Sequence, residues 1–304
     1  KPLYFFAEKN DIIQGVLPLF QMFIPIIMNQ LIGLPFCDVG HVLANSEEIR
    51  NQLIKTALEQ GKKLGVKTLE IRGRHGLAAD NFNLPVTYIS EKVSMILDLP
   101  KSSEDLWAGF KSKLRSQIRK AHKNGLTFEF STKVTDFYSV FSENMRDLGS
   151  PVHSKKWIES VMNNYGNKAR MGLVYLDQLP VGGGIILTAG KKISIPWAST
   201  LQQYNRLGPN MLLYWNFLKF SADHGYSLFD FGRSTPNEGT YRFKAQWGAK
   251  PVALEWHMIY LDGTLPAQKK ETSKNRERIA HIWQKLPLSL ANFTGPILRK
   301  YISL

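Results

Sequence analysis

Three charged side chains, Asp230, Arg233 and Lys244, stand out within one short stretch of this sequence, SLFDFGRSTPNEGTYRFKAQWGAKP at 227–251. The apolar run 227–231 predicts a buried strand. Gly232, Arg233 and Ser234 follow as a polar loop. Tyr241, Arg242, Phe243 and Lys244 then enter a short helix that stops at Gly248. Asp230, Arg233 and Lys244 therefore collect around one strand end. A carboxylate and two cations can take up a proton and hold an anion. In open α/β sheets, a strand end that opens into a glycine loop is where ligands bind. Structural ion pairs gather at strand ends too, so a salt-bridged loop on a stable domain is the competing account. A carboxylate paired with arginine titrates low and is a poor base, which favours Asp230 as a holder of Arg233.

The elements that position this stretch can be read from 127 onward. Residues 127–131 predict a strand, and 136–148 and 155–165 two helices. Strands at 170–176 and 181–189 form a hairpin around Asp177-Gln178-Leu179-Pro180, and 192–199 is a third strand. An amphipathic helix over 210–224 ends at Gly225. The strand at 227–231, the helix at Tyr241 and a last strand at 252–260 complete the order β-α-α-β-β-β-α-β-α-β. The start of the chain repeats half of it: a hairpin at 3–8 and 13–21, a strand within 31–43, a helix at 47–64 capped by Ser46, and strands at 68–72 and 93–97. LYFFAEKNDIIQGVLPL aligns loosely with LVYLDQLPVGGGIIL, in register at the hairpin. This reads as an internal duplication whose first copy lacks its opening strand and helices; two unrelated α/β pieces are the alternative. Between the copies, Leu106, Phe110, Leu114, Ile118 and Ala121 recur at helical spacing, with Lys111, Lys113, Arg115, Arg119, Lys120 and Lys123 around them. Residues 265–278 read as a polar linker or frayed helix. Residues 279–304 read as an amphipathic tail that packs on the core or lies on a membrane surface.

The 304 residues are 43% hydrophobic, enough for two ordinary domains. Net charge is +14, which suits an anionic partner such as nucleic acid, an anionic membrane or a phosphorylated substrate. Cys37 is the only cysteine, so no intramolecular disulfide forms and a cytoplasmic setting fits. Cys37 with Asp38 and His41 is weak evidence for a nucleophile. The most apolar region, 12–36, is interrupted by Gln14, Gln21, Asn29, Gln30 and three prolines, so buried strands are expected there and not a membrane helix. Gly182-Gly183-Gly184 lies in a predicted strand and suggests close packing or a bulge. No metal motif is present.

The element order resembles the GNAT acyltransferase fold. Two such domains joined at a basic helix resemble the Fem-type aminoacyltransferases that build peptidoglycan cross-bridges. The resemblance rests on KLRSQIRKAHKNG (113–125), WASTLQQYNRLGPN (197–210), LYW (213–215), FDFGRS (229–234) and YRFKAQWG (241–248). It is strongest toward the FemAB-like proteins found beside exosortase and exopolysaccharide loci, and it covers nearly the whole chain. There is no coiled-coil arm like that of some bridge-forming enzymes. The implied architecture is α+β, with tandem GNAT-like domains of mixed sheets flanked by helices. The expected divisions are 1–101, a connecting helix at 102–125, a second domain at 126–262 holding the site, and a tail at 263–304.

The resemblance implies transfer of an acyl group from aminoacyl-tRNA to a primary amine, with no tightly bound cofactor. Lys244, preceded by Phe243, would steady the ester carbonyl or the terminal phosphate of the tRNA. Lys244→Ala is expected to abolish transfer and leave the melting temperature little changed. Asn205, Arg206, Gly208 and Asn210 occupy the loop that offers pyrophosphate of CoA its N–H groups in GNAT proteins. Here Asn205 and Asn210 replace the usual ends and Pro209 removes one donor, which weakens acyl-CoA as donor. Trp197, Tyr214 and Trp215 line the groove or pack the core, with Tyr241 and Arg233 nearby. Arg115 and Arg119 would meet the diphosphate of a lipid-linked or UDP-linked envelope precursor, or form a solvated face. A monomer at the inner face of the membrane is expected, touching it through the tail. The alternatives are an acyl-CoA-dependent N-acyltransferase of an amino sugar, and a basic nucleic-acid-binding protein.

Overall fold

A computed structural model of the chain describes residues 1–74, 82–265 and 273–303. In chain order, β1 is Pro2–Lys9, β2 Ile12–Ile24, β3 Met28–Ile32, β4 Leu43–Ala44, α1 Glu47–Lys63, β5 Thr68–Gly73, β6 Val86–Tyr88 and β7 Val93–Asp98. Then come α2 Ser103–Gly109, α3 Ser112–Lys123, β8 Leu126–Ser131, α4 Val134–Asp147, α5 Lys155–Tyr165, β9 Ala169–Leu176, β10 Leu179–Ala189 and β11 Lys192–Thr200. The remainder is α6 Pro209–Asp223, β12 Leu228–Ser234, α7 Gly239–Ala245, β13 Lys250–Ala253, β14 Glu255–Tyr260, α8 Ser273–Gln284 and α9 Leu288–Arg299.

The chain divides into two units. The first takes Lys1–Ser94, Val252–Glu271 and Tyr301–Leu304. Its sheet runs β1-β2-β3-β5-β14-β6, with β4 on β2. β1 and β2 form an antiparallel hairpin, and β3 runs parallel to β5 through the crossover helix α1. The strands alternate as the two-residue period requires. Leu17 and Leu19 of β2 turn inward onto Leu31, Ile54, Ala57, Leu69 and Ile259. Ser46 caps α1, its side chain accepting from the Ile49 N–H, and Glu47 and Glu48 lie in the first turn, where the helix dipole favours acids.

The second unit takes Met95–Pro251 and Thr272–Lys300. Its sheet runs β13-β7-β12-β11-β10-β9-β8. The order β9, β10, β11, α6, β12 repeats β1, β2, β3, α1, β5, down to an antiparallel meander followed by one parallel pair across a helix. The expected duplication is thus visible in the topology. Helices cover both faces of this sheet, as neighbouring glycines of β10 report. A Cβ at Gly183 would meet Phe137 of α4, whereas at Gly182 or Gly184 it would meet Pro209 or Phe217 of α6. Alternate residues of a strand face opposite ways, so α4 and α6 lie on opposite sides. The glycine triplet therefore serves close packing.

Four expectations are corrected. The strand at 93–97 belongs to the second sheet, and the last strand, β14, sits in the first sheet between β5 and β6. The two halves have exchanged strands, so a sequential division at 101 and 262 does not follow the sheets. The basic connecting segment is two helices, not one: Phe110 and Lys111 are extended, although the stripe from Leu106 to Ala121 is buried as expected. The polar loop after Phe231 is strand: β12 continues to Ser234, with β7 as its neighbour on the side away from β11. The apolar stretch 12–36 holds β2 and β3, but Phe23 and the turn residues Ile26 and Ile27 are exposed.

The tail is shared out: α8 and α9 pack within the second unit, whereas Ser303 belongs to the first, where its carbonyl accepts from the Phe36 N–H. Trp283 of α8 and Ala291 of α9 are buried, and a Cβ at Gly295 would stand 3.1 Å from the Val152 nitrogen. Gln284 Nε2 donates to the Asp147 carbonyl, and Arg146 Nη1 to that of Leu286. Much of the proposed linker at 265–278 lies outside the described residues.

Candidate active site

The centre of the second unit is a pair of strands that part. β11 and β12 run parallel and pair from Lys192 with Leu228 to Ser194 with Asp230. Beyond that point β11 continues to Thr200 and β12 to Ser234 without pairing to each other. Two features drive β11 away. Pro196 has no N–H to give a neighbour, and the register of β11 with β10 shifts between Ile185 and Leu187. Diverging strands leave a wedge whose walls carry backbone groups free of each other.

Asp230 marks the base of the wedge. It is buried; its Oδ2 lies 2.7 Å from Lys192 Nζ and its Oδ1 accepts from the Gly232 N–H at 2.9 Å. Lys192 was not singled out in the sequence, where it reads as an ordinary strand residue. Gly232 turns the chain there with φ of 73°, a conformation glycine adopts without strain.

Lys244 is placed differently from its expected setting. It stands in the last turn of α7, where the helix dipole favours a cation, and not at a helix start. It is 8% exposed, and its ammonium donates to the carbonyls of Arg233 at 2.8 Å and Gly232 at 3.1 Å. It thereby fixes the backbone that carries Arg233 along the wedge. Phe243, beside it, meets Tyr214 edge to face at 5.1 Å, and Tyr214 stacks on Phe231 at 5.5 Å. Burial pushes the Tyr214 phenol upward, so it stays protonated at neutral pH. Tyr241 is half-buried on α7.

Arg233 leads to a second group that sequence reasoning missed. Burial, and after it the charge of Arg233, holds the Arg299 guanidinium below the ordinary arginine value. Arg299 Nε donates to His153 Nε2 at 3.3 Å, and His153 stacks on Trp157 at 4.0 Å. Trp157 meets Trp197 edge to face at 5.3 Å. Burial and Arg299 push the His153 imidazole down to about 3, so it is neutral and accepts this bond. Two guanidinium groups beside an indole wall form a setting for an anionic group. His153 sits in a loop and Arg299 in the tail, so neither shared a motif with Arg233 in the sequence.

The remaining predicted residues fall into two further places. Trp215 packs on Trp107 at 4.8 Å and Phe110 at 5.8 Å, and Arg119 lies over the Trp107 ring at 5.4 Å. Arg115 is half-buried on the same helix. This is an aromatic seam between α2, α3 and α6, so Trp215 is a packing residue. Asn205, Arg206, Gly208 and Asn210 lie at the entry to α6. Asn205 Oδ1 accepts from Thr200 Oγ1 at 2.9 Å, and the Leu207 carbonyl accepts from Asn124 of the chain following α3. Gly208 is left-handed, with φ of 87°, and a Cβ there would sit 3.4 Å from that of Ala121. Pro209 is the first residue of α6. The helix entry thus lacks one backbone donor that a pyrophosphate cradle would use.

In the first unit the equivalent wedge is closed. β3 and β5 also pair over three positions, from Gln30 with Thr68 to Ile32 with Glu70. Glu70 stands where Asp230 stands, but Gly33 N–H then donates to the Glu70 carbonyl and Gly40 N–H to that of Arg72. Arg72 fills the space, 2.6 Å from Glu70, bonded to the Cys37 carbonyl and Ser303 Oγ, and stacked 4.3 Å from Trp256. Desolvation and Asp38 push the Cys37 thiol upward, opposite to what a nucleophile needs.

Comparison with known proteins agrees with this geometry. Residues 108–245 match the model of the acetyltransferase (GNAT) domain. No curated protein matches the chain in a sequence search. Among solved structures, that of FemX superposes with a TM-score of 0.65 at 14% identity, covering 86% of this chain and 89% of that one. The C-terminal domain of a putative lysylphosphatidylglycerol synthetase from Agrobacterium fabrum gives 0.59 at 12% identity, covering 92% and 88%. A tandem GNAT protein from the clavulanic acid biosynthesis pathway gives 0.53 at 13% identity, covering 88% and 84%. The chain has an α+β fold of tandem GNAT type, and the segment that matches the GNAT domain model includes the parted strands.

Proposed function

We propose that the chain is an N-acyltransferase that works in the wedge between β11 and β12 of the second unit. The observation that carries this reading is the parting of the two parallel strands beyond Ser194 and Asp230, within a region matching an acyltransferase domain. An acyl group laid along the wedge would meet strand backbone that β11 and β12 do not use to pair with each other, and preorganised backbone donors are usually the largest part of such catalysis. The amine attacks the acyl carbonyl, a C–N bond forms, the bond to the donor oxygen or sulfur breaks, and the amine gives up a proton. Lys244 holds the arm of the wedge in place, Arg233 and Arg299 attract an anionic part of a substrate, and Asp230 with Lys192 fixes the base.

The acceptor in this reading is a primary amine on a phosphorylated or lipid-linked cell-envelope or exopolysaccharide precursor. The donor is aminoacyl-tRNA. Support for that donor comes from the motif resemblance to Fem-type enzymes, from the +14 charge and from the backbone donor that Pro209 removes at the entry to α6. Acyl-CoA is the second reading, and the acetyltransferase match favours it.

The test is equilibrium binding of labelled aminoacyl-tRNA to the chain, with uncharged tRNA and acyl-CoA as competitors, followed by mass spectrometry of an amine acceptor after incubation with each donor. Preferred binding of the charged tRNA and an acceptor heavier by one aminoacyl group are expected. Saturable competition and transfer by acyl-CoA would move the enzyme to the second reading. Equal binding of every RNA, vanishing with salt, with no acceptor modified by either donor, would overturn both.

A further inference from the structure

The apolar region that breaks the sequence expectation lies in the first unit, at the end of the β2–β3 hairpin. The two strands pair as far as Ile24 with Met28. Pro25, Ile26 and Ile27 close the turn, the Ile27 N–H reaching the carbonyls of Pro25 at 2.8 Å and Ile24 at 3.1 Å. Phe23 is 57% exposed, Ile27 79% and Ile26 fully, at 106%. Ile26 also has φ of 67°. A β-branched residue is rare in that region, where glycine or asparagine is easier. The turn thus carries an isoleucine at a local conformational cost, and its side chain gains no contact within the protein.

The base of the hairpin is tied to a basic collar. Asn29 Nδ2 donates to the carbonyls of Leu64 at 3.1 Å and Gly65 at 2.9 Å, and the Lys67 N–H donates to the Asn29 carbonyl at 3.0 Å. Lys62, Lys63 and Lys67 are exposed around this junction. The acids beside them are Glu59, one turn earlier on α1, and Asp262, whose carboxyl is held low by hydrogen bonds from Thr264 and, to a smaller extent, by Lys67.

We propose that this hairpin tip docks the protein on an anionic lipid bilayer. An exposed apolar tip with exposed lysines on the segment its strand is bonded to is an arrangement that can enter the acyl boundary while its cations meet headgroup phosphates. The excess of lysine over acid at the collar, on a chain of net charge +14, selects an anionic surface over an uncharged apolar partner. The inference does not depend on acyl transfer.

The experiment is co-sedimentation of the full chain with vesicles of phosphatidylcholine containing about 30% phosphatidylglycerol, and with phosphatidylcholine alone. Binding to the anionic vesicles is expected. The double change Ile26→Asp and Ile27→Asp should weaken it by about tenfold or more, because the tip no longer enters the apolar boundary. Lys62→Gln with Lys63→Gln should weaken it by roughly fivefold per charge and remove the preference for the anionic vesicles. Ile26→Trp serves as a second reporter, its emission shifting to the blue on the vesicles. Unchanged melting temperatures would show the variants folded, since neither isoleucine packs in the core. The proposal is overturned if the parent chain ignores anionic vesicles, if the aspartate variant binds as well as the parent, or if the tip instead mediates a dimer that the aspartates dissolve.

Discussion

Lys244 is the residue that the sequence assigned most directly to chemistry, and its surroundings give it a second duty. Its ammonium bonds the carbonyls of Gly232 and Arg233 while 8% exposed, so it is part of the strand end and not a cation reaching into solvent. Lys244→Met would strand two carbonyls inside the protein. A lost hydrogen bond to a charged group costs about 1.5–3 kcal/mol, so the melting temperature should fall by roughly 5–10 °C while transfer is lost. A thermal melt run beside the transfer assay separates the possibilities. Lost transfer with an unchanged melting temperature would restore Lys244 to direct contact with substrate. His153 supplies a pH effect with a definite sign. Its imidazole titrates near 3 in the folded protein, against 6.5 for the ordinary group. Between those values the unfolded chain binds a proton that the folded chain refuses. Stability from this group is therefore complete above about pH 6.5 and declines as the pH falls toward about 3, by up to about 1.4 kcal/mol per unit. His153→Asn, which cannot charge, should flatten that slope by one proton in denaturant titrations at pH 7 and pH 5. An unaltered slope would mean that His153 charges as readily folded as unfolded.

At the scale of elements, most strands and helices of the second unit were legible because each announces itself locally. The hairpin turn at Asp177, the glycine after α6 and the apolar run before Gly232 are short-range signals. The halt of β11 against β12 was not legible. It depends on a proline in one strand and a register shift in another, and neither reveals which neighbour will part. The exchange of β7 and β14 was hidden for a similar reason, since strand partners are chosen by long-range pairing and both strands have unremarkable sequences. Within the site, Asp230, Arg233, Phe243 and Lys244 were found because they share one stretch. Lys192, His153 and Arg299 were missed because only the fold brings them there. The two halves also show how one topology is used twice. Glu70 and Asp230 hold corresponding positions, yet the first wedge is stitched by Gly33 and Gly40 and filled by Arg72, while the second stays parted. The site proposed here is accordingly the one in the second half, whose wedge is not filled by its own chain.

At the scale of the whole chain, the exchanged strands mean that neither half is complete in a contiguous piece of sequence. β14 stands between β5 and β6, antiparallel to both, from Glu255 with Gly73 to Tyr260 with Thr68 on one side, and from His257 with Tyr88 to Ile259 with Val86 on the other. Ile259 is fully buried in the first core. Residues 1–101 produced alone would keep β1 to β5 but lose this strand, exposing the inner edge of β5 and leaving β6 without its recorded partner. They would carry β7, an apolar strand with no sheet of their own to join. An unpaired apolar edge invites aggregation, and the missing strand removes part of a core that a small domain needs. The fragment should therefore show little cooperative unfolding and tend to aggregate, and a peptide spanning 250–262 added in excess should restore a cooperative melt by filling the gap. Circular dichroism followed through a thermal ramp, with and without the peptide, reads this directly. A fragment 1–101 that melts cooperatively by itself would show that β14 is dispensable, and that the first half folds as the sequential reading of the chain had expected.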